Sequence, residues 1–78
     1  MRKKEFQRIM DFLSRLAEIE SSLQEMQDDE QEKYDNMPDS LQSSSRGEEF
    51  EEIIDCLGDA ITGVEDAAAA LERLSDLK

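Results

Sequence analysis

Phe50, Ile53, Leu57, Ala60, Val64, Ala67, Leu71 and Leu74 recur at alternating steps of three and four without a break. A strand turns successive side chains to opposite faces, so this spacing gathers residues onto one face only in an α-helix. These are the a and d positions of four heptads, the period of helices that wind around one another. Ile54, Ile61 and Ala68 add an apolar e column beside them. The stripe is therefore wider than one two-stranded seam requires, and such a helix faces more than one neighbour. Gly58 and Gly63 lie inside the run, each costing about 1 kcal/mol of helix propensity relative to alanine. They read as tolerated flaws or as points of close helix approach, which Ala67–Ala70 also permit.

The first half repeats the helical period less strictly. Phe6, Ile9, Met10, Leu13, Leu16, Ile19, Leu23 and Met26 are spaced mostly by three and four, with Phe12 and Ala17 at the flanks. Gln27, Asp28, Asp29 and Glu30 then thin the stripe, and no glycine or proline interrupts it. The pattern predicts a helix over residues 3–35, a loop over 36–46 and a second helix over 47–77. Pro38 disfavours helical geometry at Met37 and has no backbone donor. Asp39, Ser40, Ser43, Ser44 and Ser45 favour turns and caps. Asn36 is placed to cap the first helix, residues 38–41 suit one short helical turn with Leu41 tucked onto the hairpin end, and Ser45-Arg46-Gly47-Glu48 fits a capping box.

Two segments of nearly equal length joined by a short loop make an antiparallel αα-hairpin. The expected class is all-α, a single domain over residues 1–78. A chain of 78 residues buries little surface on its own, and domains of this size lean on a disulfide, a metal or a partner. Cys56 is the sole cysteine and histidine is absent, which removes an intrachain disulfide and a structural zinc site. Pairing of two hairpins into a four-helix bundle is the remaining staple. Charged residues reach 38% and aromatics only 5%, a balance that also occurs in disordered chains, but the strict apolar patterning favours a helical assembly. Its expected core comprises Leu13, Leu16, Leu23, Phe50, Ile53, Ile54, Leu57, Ile61, Val64, Leu71 and Leu74, with Phe6 and Phe12 also inside.

The net charge of −12 is unevenly placed. Residues 1–15 carry five basic side chains against two acidic, a net +3; the remainder carries four against nineteen, a net −15. In a hairpin the acidic excess gathers at the loop end. Acidic residues at the start of the second helix suit its dipole, whereas those closing the first oppose it. Such charge disfavours direct binding to nucleic acid or anionic membranes and favours cationic partners. No apolar run approaches the roughly 20 residues of a membrane span. The basic start is followed by Glu5, Gln7, Arg8 and Asp11, which break any signal-peptide core. A cytoplasmic protein with a reduced thiol is expected.

The same inventory argues against catalysis. A Cys–His pair is excluded, no glycine-rich phosphate loop occurs, and the carboxylates fall on exposed helix faces rather than in a shielded site. The acidic run lacks the alternating ligands and glycine of an EF-hand loop. No cofactor or metal is expected. Cys56 reads as part-buried and structural, and Tyr34 and Met37 as sealing the hairpin end.

The stretch Tyr34-Asp35-Asn36-Met37-Pro38-Asp39-Ser40-Leu41-Gln42, followed by Ser45-Arg46-Gly47, resembles a pattern in small acidic helical proteins of Firmicutes phages and prophages. There a YDNMP-x-SLQ linker and a serine-rich bridge join two acidic helices; the likeness covers residues 30–72. It implies a phage-related accessory protein, a setting in which small acidic proteins often bind and inhibit host machinery.

These readings converge on a non-enzymatic protein–protein interaction module, a homodimer whose acidic tip and loop meet a host protein. The expected contact residues are Asp28, Asp29, Glu30, Glu32, Asp35, Met37, Leu41, Glu48 and Glu49. A fixed turn and a solvated charged surface explain the same residues without any partner. Two alternatives remain open: an acidic imitation of nucleic acid that blocks a host nucleic-acid-binding or defence protein, and a structural scaffolding element.

Overall fold

In a computed structural model that describes residues 2–77, three helices follow one another: α1 (Lys3–Asp35), α2 (Asp39–Gln42) and α3 (Ser45–Ser75). Met1 and Lys78 lie outside the described residues. α1 and α3 pack antiparallel along their lengths, and the short α2 bridges their ends. Contacts from end to end fix the register: Tyr34 meets Glu51, Gln27 meets the Ile54 carbonyl, and Phe12 shares a groove with Leu74. The result is a rod of 58 × 14 × 12 Å with a radius of gyration of 17.6 Å, against about 11.5 Å for a compact domain of this length.

The two helices meet along one heptad seam. α1 contributes Ile9, Leu13, Leu16, Glu20, Leu23, Gln27, Glu30 and Tyr34; α3 contributes Phe50, Ile54, Leu57, Ile61, Val64, Ala68, Leu71 and Ser75. All are buried or half-buried, and on each helix they alternate by four and three. The wide stripe of α3 is thus divided. The flanking column of Ile54, Ile61 and Ala68 turns inward, while Ile53, Ala60, Ala67 and Leu74 remain exposed. Turning inward the column that carries isoleucine at mid-helix buries more apolar area than turning inward Ala60 and Ala67 would. Gln27 donates from Nε2 to the Ile54 carbonyl at 3.2 Å. Gly58 leaves room for that amide, since a Cβ there would stand 3.2 Å from it. Close approach, rather than a tolerated flaw, accounts for Gly58.

The connection is more ordered than a spacer. The Pro38 carbonyl accepts from the backbone N–H groups of Leu41 and Gln42 at 2.9 and 3.0 Å. Gln42 donates from Nε2 at 2.8 Å to the Tyr34 carbonyl, which also accepts the Met37 backbone N–H at 3.1 Å, so the end of α1 is tied to the turn from two sides. Asn36 is the C-cap residue of α1, its N–H bonded to the Glu32 carbonyl. Gly47 is buried against the Gln42 backbone, where a Cβ would overlap the carbonyl.

Several local expectations are corrected. The capping box does not form: Ser45 lies inside α3 rather than at its N-cap, and Ser44, the N-cap residue, makes no side-chain cap while its hydroxyl donates backward to the Leu41 carbonyl. α3 accordingly starts at Ser45 and ends at Ser75. Leu41 is 43% exposed rather than tucked in, because α2 points it away from the hairpin end. Phe6 and Phe12 are exposed rather than core: Phe12 stands one residue off the seam, and Phe6, although in step with it, lies beyond Ser75, the last seam residue of α3. Cys56 is exposed, not part-buried, because it lies on the side of α3 turned away from α1.

Candidate interaction surface

The hairpin has two unlike sides. On one, Phe12, Ile19 and Met26 of α1 form an exposed column at seven-residue spacing. The corresponding column of α3 is Ile53, Ala60, Ala67 and Leu74. The antiparallel register lays the two side by side. Phe12 and Leu74 line one shallow groove with Ile9, and Ile53 lines another with Glu30 and Phe50. The Arg8 guanidinium sits 6.0 Å from the Phe12 ring centre, a cation–π distance that partly covers an otherwise wet ring.

The opposite side is mostly polar, with exposed Met10 and Ala17 toward the start of α1. Gln24 and Gln31 of α1 lie on it with Glu51, Glu65 and Glu72 of α3, and Gln31, Tyr34, Glu51, Ile54 and Asp55 line a groove there.

The apolar side continues around α3. Ile53, Cys56, Ala60, Gly63, Ala67, Ala70, Leu74 and Leu77 alternate by three and four, and every one is exposed. This is a second complete heptad seam, displaced by one residue from the inner one and therefore rotated by about 100° around the helix. Within the chain, nothing lies within 4 Å of where a Cβ on Gly63 would stand. The sequence pattern shows the Ile53 and Leu74 column and marks Gly63 and Ala67–Ala70 as places of close approach, but it does not join Cys56, Gly63 and Ala70 into a seam. The signal was present as the same spacing shifted by one, masked because small residues weigh little in an apolar stripe.

The expected assembly core divides between the two seams. Leu13, Leu16, Leu23, Phe50, Ile54, Leu57, Ile61, Val64 and Leu71 stand in the intrachain seam, and Ile53 and Leu74 on the outer face. Burial in the inner seam is thin: Ile9 and Ile61, at 6% and 7% exposure, are its only buried hydrophobic residues among those described, and no large side chain is fully enclosed.

The loop end gathers the acidic residues. Asp28, Asp29, Glu32, Asp35, Glu48 and Glu49 are exposed, and Glu30 is half-buried with its carboxylate 3.2 Å from Lys33 Nζ. Met37 is half-buried beneath them and Leu41 exposed beside them. Tyr34 donates its hydroxyl to Glu51 at 2.6 Å. That bond to a carboxylate raises the Tyr34 pKa, helped by partial desolvation and by the charges of Glu51 and Asp35.

Among the described residues no group of His, Cys, Asp or Glu is arranged to hold a metal ion, and no helix is long and apolar enough to cross a membrane. No protein-family model, curated protein or solved structure matches the chain.

Proposed function

We propose that the chain is a non-enzymatic interaction module that works as a homodimer, two hairpins closing into a four-helix bundle that presents its acidic ends to a protein partner. The carrying observation is the apolar side of the rod. Phe12, Ile19, Met26, Ile53 and Leu74 lie exposed there between 38% and 51%, on a hairpin whose own seam is thinly buried. The accessible surface is 5984 Å² for 8.9 kDa, whereas a compact monomer of that mass exposes about 4,800 Å². The excess, about 1,200 Å², is more than the roughly 800 Å² that one partner contributes to a standard interface. Sedimentation equilibrium of the native chain and of Ile53→Glu tests the reading: a native dimer and a folded, monomeric variant support it, and a stable native monomer removes it.

The partner reading is a phage-encoded accessory protein or inhibitor acting on a basic surface of a host protein. It is supported by the exposed carboxylates at the loop end. Affinity capture from a bacterial host lysate tests it, with a triple variant, Asp28→Asn, Asp29→Asn and Glu32→Gln, expected to lose the captured protein. The same carboxylates favour a second reading, imitation of a phosphate backbone. That reading requires competition with DNA or RNA for one protein, weakening steeply as salt rises.

A further inference from the structure

Which way the second hairpin docks is written in the charge along the rod. Residues 28–52, the loop end, hold ten acidic side chains against two basic, a net −8. Residues 1–15 and 66–78, the open end, hold seven basic against five acidic, a net +2. A parallel dimer would set two ends of −8 side by side. An antiparallel dimer sets each against the +2 end of its partner, where Lys3, Lys4, Arg8 and Arg15 are exposed. Over a rod 58 Å long, the two ends are several Debye lengths apart at physiological salt, so orientation is decided locally at each end.

The shape of the outer seam on α3 agrees. Its bulky residues, Ile53, Leu74 and Leu77, stand toward its ends, and Ala60, Gly63, Ala67 and Ala70 occupy its middle. Reversing one copy about a two-fold axis near residue 65 brings Ile53 against Leu77 and lays the small residues on one another. Gly63 then approaches its partner where its own chain leaves open space. The opposite side of the hairpin carries Met10 and Ala17 but is otherwise polar, so the one extended apolar face meets its equal and assembly closes at two.

Resting on the dimer reading above, we infer that the two copies pair antiparallel through this face, α3 against α3 along the Ile53–Leu77 seam and α1 against α1 along Phe12, Ile19 and Met26. The acidic loop tips then lie at opposite ends of the bundle, giving two separate docking sites rather than one doubled site.

The test places a nitroxide at the exposed tip, Ser40→Cys, in a Cys56→Ala background, and measures the distance between labels by pulsed electron resonance. Antiparallel pairing about the axis near residue 65 puts the labels about 60 Å apart, close to the rod's length, at 1.5 Å per helical residue. A separation of about 20 Å, two helix widths, overturns the orientation while leaving the dimer intact. A monomer in sedimentation overturns both. Native Cys56 gives a label-free check: in antiparallel pairing the two thiols stand about 27 Å apart along the axis, so oxidation leaves the chains unlinked, and a Cys56–Cys56 disulfide in the dimer overturns the proposal. Ala67→Glu, with its helicity verified by circular dichroism, is expected to weaken dimerisation at least about 100-fold by placing charge in the seam. Unchanged dimerisation removes the α3 seam.

Discussion

The Tyr34 hydroxyl and the Glu51 carboxylate, 2.6 Å apart, join the last turn of α1 to the second turn of α3. This is a side-chain tie across the hairpin at the end where α1 is least favoured. Asp28, Asp29, Glu32 and Asp35 all crowd the negative pole of its dipole, with Lys33 the one basic residue in its last turn. Tyr34→Phe keeps the ring and removes the tie, and is expected to lower the unfolding free energy measured in urea titrations at neutral pH by the small amount that one exposed hydrogen bond contributes.

The same bond carries a pH dependence. Because the Tyr34 pKa is raised in the folded chain, its contribution is fully present below the unfolded value of 10.0 and is lost as pH rises through the higher folded value. Native protein should therefore lose more stability than Tyr34→Phe between pH 9 and 12. Parallel alkaline losses in the two proteins would show that the bond does not form.

Gly47 and Gly63 are predicted to respond oppositely to alanine. A methyl at Gly47 meets the Gln42 backbone, and opening that turn should cost about 1–3 kcal/mol, as overpacking does. At Gly63 no atom of the chain is in reach, so Gly63→Ala should gain up to about 1 kcal/mol from helix propensity. Both are measured by thermal melts in an Ala67→Glu background, which isolates the hairpin from the interface.

The hairpin itself was legible in the sequence because α1 and α3 keep the helical period and Pro38 stops it. What was not legible is which side of α3 meets α1. Ile53 and Ile54 are both apolar and differ by one residue, so periodicity ranks them equally. Only the bulk of the facing column, read together with Gln27 against Gly58, selects Ile54. The polar members of the inner seam, Glu20, Gln27 and Glu30, were hidden for the same reason: apolar spacing skips them, although packing does not. The missing capping box has a different origin. Ser45 lies inside α3 rather than at its N-cap, and the Ser44 hydroxyl donates to the Leu41 carbonyl.

This division of α3 separates stability from assembly. Ile61→Ala removes one of two buried hydrophobic side chains and should cost about 2–4 kcal/mol, enough to unfold much of a thin hairpin. Ile53→Ala acts on a residue 43% exposed and should change monomer stability by less than about 1 kcal/mol. Circular dichroism melts in the Ala67→Glu background distinguish the two, and equal losses there would mean that Ile53 is buried within its own chain.

Charge at the loop end should be destabilising when it has no partner. In the triple variant Asp28→Asn, Asp29→Asn and Glu32→Gln, three negative charges leave the end of α1; Glu32, in the last turn, opposes the helix dipole by about 0.3–1 kcal/mol at low salt, and Asp28 and Asp29 add mainly to the repulsion around them. The sequence also relieves repulsion from Glu48, Glu49 and Glu52 across the hairpin. In an Ala67→Glu background, where no second copy sets its basic end against the tip, the melting temperature should rise in dilute buffer and converge on that of the background in about 1 M salt, where the Debye length falls to about 3 Å. A charge cluster that strains its own fold while the variant loses its captured protein is being kept for binding. A variant that is more stable and still captures the protein places recognition elsewhere, on the half-buried Met37 and exposed Leu41 of the turn.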